Sequence, residues 1–432
     1  MPQSGYGATG DRNIKITYDD VKVVLDGKLA NIRDEEGKNI EPFFYNGTLF
    51  LPVRPLAKLF GASVSYDSKS RTEYITSGKG DVSNIFHTYD KSSYVPAVKV
   101  LELAEFKRTG DTGETISFTL NGKIDVKIDF DAELIYKNDL VYNIADKYDI
   151  VDGVIYIDST LLGSVVNKIV TSDGGDIKLS PIKYTAHAWT DISDGLVAHA
   201  AGSIAVKYSD RTDYIIETNS FEAFRTSYAN GYRVFEIDLN LTSDGKLAAV
   251  HDWTRYERVM SLSEYMKHKI KGVYSTMDLE RILTMMNYCE DIFMITDTKS
   301  FEYTDEQIKV QFRELYNTAM KINPALLNRI IPQIYNQKMY ALIRDIYKWN
   351  SIIYTLYQSH DSDDEVVKFV SSHSDIKVVA MAPVKFSDKF GADLTKAEKL
   401  VYCYTLNDTV EAAALRKRGV HGIYTDYIFP NN

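Results

Sequence analysis

From residue 184 onward, short apolar runs alternate with stretches whose apolar residues recur every three to four positions. Eight runs predict strands: LVAHA (196–200), VFEIDL (234–239), IFMITDTK (292–299), IIPQIY (330–335), SIIYTLY (351–357), IKVVAMA (376–382), LVYCYTL (400–406) and GIYTDY (422–427). Between them, NSFEAFRTSYANG, MDLERILTMMNYC, TDEQIKVQFRELYNTAMKI, NQKMYALIRDIYKW, DDEVVKFVSSH, TKAEK and DTVEAAALRKRG carry the helical period. Strands alternating with helices over about 249 residues have the size and rhythm of an α/β TIM barrel, (β/α)8. The rival, a doubly wound open sheet, lacks its GxGxxG phosphate loop after the first strand.

Upstream the pattern is shorter and strand-rich. Residues 1–12 read as a Gly-rich tail. Residues 13–79 form a first β-rich α+β module, with hairpin turns at Asp26-Gly27 and Asn46-Gly47 and a short helix, PLAKLFG, stopped by Gly61. Residues 80–182 form a second β-rich module. Its stretch 152–180 echoes NGTLFLPVRPLAKLFG, which suggests a divergent repeat; an unrelated β-rich linker domain is the alternative. The barrel takes 183–432. The run NGTLFLPVRPLAKLFGASVSYD resembles the copper amine oxidase-like N-terminal domain, a module of many exported bacterial proteins. The resemblance implies no copper and no oxidase chemistry, and residues 13–79 contain no His. It implies a secreted or cell-surface protein whose signal peptide is absent from this chain, and a possible envelope ligand for the leading modules.

The second strand carries the chemistry. Side chains alternate, so Val234, Glu236, Asp238 and Asn240 share one face, while Phe235, Ile237, Leu239 and Leu241 share the other. Two carboxylates aimed at one point are unfavourable unless something positive lies between them, and a divalent cation is the simplest answer. In such barrels the site lies at the C-terminal strand ends. There the chain places His199-Ala200-Ala201-Gly202, then Glu236 and Asp238 with a hairpin extension to His251-Asp252. Asp297-Thr298-Lys299 follows, where alternation puts the acid and the base on one face, and lastly Asp426.

HAAG, TNSFEAF, FEIDLNLTSDGKLAAVHDW, DTK and GVHGIYTD, in this order, resemble the glycerophosphodiester phosphodiesterase-like superfamily, which includes the phosphatidylinositol-specific phospholipase C-like barrels. The resemblance covers roughly 184–432. It implies that Glu236, Asp238 and Asp297 hold Ca²⁺ or Mg²⁺, that His199 and His251 are the catalytic imidazoles, and that Lys299 lies near the phosphate. Gln333 is a further polar candidate. It implies general acid/base cleavage of glycerophosphodiester-type bonds, in phospholipid head groups or teichoic-acid-like polymers. The chain departs from the family pattern in several places. Ala200 replaces the Arg of the usual His-Arg-Gly, with Lys207, Arg211 and Arg255 as possible substitutes. SIAVKYSDRTDYII is inserted, Glu217 falls one place early, and Asp297 is shorter than the usual Glu. The rival reading, favoured by Ala200, is a non-catalytic envelope protein that uses a degenerate barrel to recognise phosphorylated polymers.

Beside the motifs, ordinary roles are expected. Asp252 would hold its loop and Asp426 the barrel mouth, while His187, His360 and His421 are structural and Trp253 could wall the pocket. A net charge of −10 lacks the basic footprint of nucleic-acid binding. No run approaches the roughly 20 apolar residues of a membrane span. Cys289 and Cys403 sit in no metal-type spacing and read as buried small hydrophobes, although a disulfide between them stays open. The expected partner is a small phosphodiester or a phosphodiester polymer, with neither nucleic acid nor an integral membrane segment.

Overall fold

Eight apolar runs become eight parallel strands, β1 (Leu196–Ala198), β2 (Val234–Leu241), β3 (Phe293–Asp297), β4 (Ile330–Ile334), β5 (Ile352–Thr355), β6 (Ile376–Met381), β7 (Leu400–Cys403) and β8 (Val420–Thr425). Each pairs with the next, and β1 closes the ring against both β8 and β2. The chain therefore folds its second half as the expected TIM barrel. The computed structural model describes residues 93–432 except 152–153, 174–175, 209–210, 300–302 and 431–432; before residue 93 it describes only short segments.

Alternation along the strands builds two cores. Val197, Val234, Ile295, Ile331, Ile353, Val378 and Tyr424 point into the barrel. Phe235, Ile237 and Leu239 point outward under the helices. Tyr184 and Trp189 close the end where the strands begin: Trp189 packs edge-on against Tyr402, and its indole donates to Ser351 Oγ at 2.9 Å. The opposite end holds the acids.

The helices are α1 (Phe221–Ala229), α2 (Leu279–Tyr288), α3 (Asp305–Ile322), α4 (Gln337–Arg344), α5 (Asp363–Ser371), α6 (Asp388–Lys396) and α7 (Thr409–Lys417). Each follows a polar cap whose side chain accepts from the first turn: Ser220, Asp278, Thr304, Asn336, Ser362, Ser387 and Asp408. α6 corrects the expectation of a helix at 395–399. It starts at Asp388, behind the Ser387 cap, and runs through Gly391. That glycine, a poor helix former, is there because Phe386 packs onto it; an added Cβ would meet the ring at 2.7 Å.

Gly422, inside β8, is constrained in the same way. A Cβ there would lie 2.2 Å from the Tyr402 ring, which is fully buried and tied through its hydroxyl to Thr190 O. Gly422→Ala is expected to destabilise the protein by about 1–3 kcal/mol through overpacking, read as a lower urea midpoint with an unchanged m-value.

Ahead of the barrel, strands Lys107–Asp111, Thr115–Leu120, Ile124–Asp129, Leu134–Lys137 and Leu140–Asn143 form an antiparallel meander. Beside it, Val154–Asp158 pairs with both Tyr148–Val151 and Tyr94–Pro96, and leads into helix Ser159–Val166, capped by Asp158. This β-rich part joins the barrel in one compact unit, 93–432. Tyr228 on α1 donates to Asp291, which Arg233 pairs at 2.7 Å, and its hydroxyl oxygen lies 2.8 Å from that of Tyr142.

In the first unit, Val24–Leu25 pairs with Lys28–Leu29 and Phe43–Tyr45 with Thr48–Phe50, flanking the Asp-Gly and Asn-Gly dipeptides. The expected helix PLAKLFG, and with it the comparison of the two modules as repeats, lies outside the described residues. Cys289 and Cys403 are both free and buried.

Candidate active site

The inward face of β2 carries Glu236 and Asp238, both buried. Register pairs Asp238 with Asp297 at the end of the neighbouring β3. One carboxylate oxygen from each of Glu236, Asp238 and Asp297 falls within 4.8 Å of the other two. Three buried carboxylates at this spacing repel one another unless positive charge enters. Burial, then the Asp238 carboxylate, pushes Glu236 up to about 8. Burial opposes ionisation of Asp238 too, yet Lys299 and then the two imidazoles hold it below its ordinary value.

Lys299 donates to Asp238 Oδ1 at 2.9 Å and to Asp297 Oδ2 at 2.6 Å. The acid–base proximity at 297–299 comes from a turn, not from strand alternation: β3 stops at Asp297, and Lys299 is left-handed at φ 47°. Once all three carboxylates are ionised, one ammonium leaves negative charge in excess. The all-oxygen donor set fits a hard divalent cation such as Ca²⁺ or Mg²⁺.

β1 ends two residues earlier than expected. His199 opens a tight turn in which Ala200, Ala201 and Gly202 all take positive φ. The turn aims the Ala200 N–H at Glu236 Oε2, 2.7 Å away, and leaves the Ala200 side chain fully buried. The position of the family arginine is therefore closed in this chain. The suggested substitutes do not take its place. Arg211 pairs with Asp213 on the hairpin Ile204–Lys207/Thr212–Ile215, the inserted segment, which also carries Lys207. Arg255 lies by Glu217 and Asp252.

Both histidines are held the same way. His199 Nδ1 bonds Asp426 Oδ1 at 2.9 Å, and His251 Nδ1 bonds Asp252 Oδ2 at 2.6 Å, so that in each ring Nε2 is the nitrogen not used by the aspartate. Asp426 is fixed in turn by Asn407, at 2.6 Å. Asp252 also accepts from Thr254, so it holds both its loop and the ring. His199 and Gln333 line a cavity of about 220 Å³ with Glu236, Asp297 and Lys299. His251 lines a wider neighbouring groove, which Lys299 also reaches.

Some contributors were invisible in the sequence. Asn219, fully buried, donates to Asp238 Oδ2 at 2.7 Å and accepts from the Asp238 N–H at 3.1 Å, fixing that carboxylate. Its place in TNS, just before the helix cap Ser220, was the available signal. Tyr335, one residue past β4, donates to Asp297 Oδ1, and Tyr357 does so at 3.3 Å. Of the structural histidines, His187 bonds Ser351 Oγ and His421 bonds Thr190 O.

Charge at this mouth sets a pH dependence. Burial alone would lower the His199 imidazole. The Asp426 hydrogen bond and the charges of Glu236, Asp426 and Asp238 outweigh it and push the ring up to about 9. A folded-state value above the ordinary 6.5 means stability present below that pH and lost as pH rises through about 9. The raised value of Glu236 acts in the same sense, between its ordinary 4.5 and about 8. In chelator, unfolding free energy is expected to fall over this range by roughly several kcal/mol, and Asp426→Asn should flatten the fall. Urea unfolding at a series of pH values measures both.

A family model described as the glycerophosphoryl diester phosphodiesterase family matches residues 208–429, and one described as the copper amine oxidase N-terminal domain matches 31–84. No curated protein matches the chain. Among solved structures, a phosphodiesterase of Oleispira antarctica in complex with the product sn-glycerol-3-phosphate is 14% identical, with TM-score 0.45 over 56% of this chain and 96% of that one. A glycerophosphodiester phosphodiesterase of Thermotoga maritima is 19% identical, with TM-score 0.40 over 54% and 94%. One from Parabacteroides distasonis is 16% identical, with TM-score 0.42 over 54% and 92%.

Proposed function

The chain belongs to the glycerophosphoryl diester phosphodiesterase family, and on that premise we propose a metal-dependent cleavage of glycerophosphodiesters at the barrel mouth, with His199 and His251 as its acid and base. The observation that carries the proposal is the meeting of three buried carboxylates and Lys299 between two imidazoles, each oriented by its own aspartate.

Glu236, Asp238 and Asp297 would hold the cation. When bound, it supplies charge neutralisation for a phosphodiester oxygen. Lys299, partly buried and held charged by Asp238 and Asp297, offers a second positive charge to the same anion. One imidazole Nε2 takes the proton from the attacking hydroxyl as its oxygen bonds to phosphorus. The other Nε2 gives a proton to the departing alcohol oxygen as the old P–O bond breaks. A glycerol hydroxyl as attacker yields a cyclic phosphate, and water yields a monoester. Asn219 and Tyr335 keep the acids in place during the exchange.

The test is a panel of glycerophosphodiesters followed by ³¹P NMR, with Mg²⁺ or Ca²⁺ and with chelator. Turnover that chelator stops supports the proposal. No turnover of any diester would leave a binding barrel, and turnover indifferent to chelator would remove the cation. We further place the chain outside the cell, acting on lipid head groups or envelope polymers. The resemblance of its first module to those of exported proteins supports this; finding the mature protein only in the lysate would count against it.

A further inference from the structure

Two cavities meet at Lys299. The deep one, about 220 Å³, contains His199; the groove, about 950 Å³, contains His251; Lys299 and Tyr357 line both. A phosphate at Lys299 therefore places one alcohol of the diester in each. We infer that the groove is a subsite for a hexose-bearing, polyhydroxylated alcohol, and that the second product of the reaction is larger than glycerol. This rests on the phosphodiesterase reading above and names the substrate class of that same site.

The lining of the groove carries the inference. Trp253 is half-buried, its Nε1 bonded to Leu241 O at 2.9 Å and its ring packed edge-on against Tyr265 and tilted against Tyr256, with centroids 5.4 and 5.7 Å apart. An indole fixed in this way offers an apolar surface to the C–H face of a pyranose at little ordering cost. Around it, the Ser243 hydroxyl, the Thr254 hydroxyl oxygen and the Gln307 amide nitrogen bring hydrogen-bonding groups suited to hydroxyls, while the Thr254 hydrogen goes to Asp252 and the Gln307 oxygen caps α3 at Thr304.

Charge argues against other occupants. Besides His251 and Lys299, at the phosphate end, the groove is lined by Asp252, Glu257 and Arg258. Both terminal nitrogens of Arg258 are engaged by Glu264, at 2.6 and 3.1 Å. A second phosphate would meet two carboxylates and no uncommitted cation among these lining residues. Leu241 and Val259 are the aliphatic contribution, too little for an acyl chain. The volume exceeds what methanol, ethanolamine or glycerol would fill.

The experiment compares glycerol 3-phosphate esterified with methanol and with a hexose, using the full-length protein. Wild type is expected to favour the hexosyl diester in kcat/KM by about tenfold or more. Trp253→Ala, which removes the platform, and Ser243→Trp, which fills the groove from an exposed position, should each bring that ratio near one. Ser243→Trp decides the matter where loss of the indole unfolds the loop. A wild-type ratio near one, or variants that slow both diesters equally, would overturn the inference. Turnover of neither diester fails the phosphodiesterase reading itself. The groove is then judged by fluorescence: Trp189 and Trp349 are each 1% exposed, so Trp253 reports. A spectral shift on titration with the hexosyl diester supports the subsite, and a flat titration refutes it.

Discussion

His199→Ala and His251→Ala are each expected to lower kcat for a glycerophosphodiester by about 10²- to 10⁴-fold, the usual range for loss of a positioned acid or base. Neither ring is among the three carboxylates that would hold the cation, so stabilisation by Mg²⁺ or Ca²⁺ should survive in both variants. The two losses differ in kind, and a second substrate separates them. An aryl leaving group departs without a proton, so the variant lacking the acid regains most of its rate on an aryl diester. The variant lacking the base does not. Equal recovery in both, or a loss below tenfold in either, would show that the imidazoles do not divide the proton transfers. Because each Nδ1 is bonded to an aspartate, Asp426→Asn and Asp252→Asn should produce smaller losses of the same kind as their partner histidine.

The second large effect concerns the acids. Glu236→Gln removes one of three mutually repelling carboxylates and keeps an acceptor for the Ala200 N–H. In chelator this variant should be as stable as wild type or more so, because the group it loses is a buried carboxyl whose ionisation burial and Asp238 disfavour. With cation present the order reverses. Wild type gains stability as RT ln(1 + [L]/Kd), about 2.7 kcal/mol at a hundredfold excess over Kd, and Glu236→Gln gains little. Turnover should fall by about 10²-fold or more, as for loss of a main electrostatic stabiliser. Thermal melts with and without cation, beside the kinetics, give the check. A cation-induced shift of equal size in both proteins would place the metal elsewhere.

Much of the barrel was legible because its strands are short, apolar and separated by helices with polar caps. All eight strands fall where the apolar runs predict. The helix at 388–396 escaped because Gly391 breaks the propensity pattern, and only the Phe386 ring beside it explains why a glycine is there. The acids of β2 could be read from alternation alone. Lys299 was placed near Asp297 for the wrong reason, since a left-handed residue rather than a continued strand brings its ammonium back. TNS marked the position of Asn219 but not its partner, and Tyr335 and Tyr357 could not be read at all: the contacts of all three join segments from different βα units, and no local period encodes such a meeting. The closure of the arginine position by the Ala200 turn is equally non-local, because it depends on Glu236 accepting the turn's N–H.

The tyrosine pair that links the β-rich part to α1 also limits how this enzyme can be divided. Separating the barrel at residue 183 would remove Tyr142 and strip the cover from Tyr228, a ring with no exposed surface in the intact unit. Asp291 and Arg233 would then face water. That break lies on α1, whose first turn begins directly after Asn219, the residue that steers Asp238. A fragment cut at residue 183 would thus carry both imidazoles, the three carboxylates and Lys299 and still lose part of the scaffold that aims them. The compact unit that keeps this scaffold whole begins at Ser93.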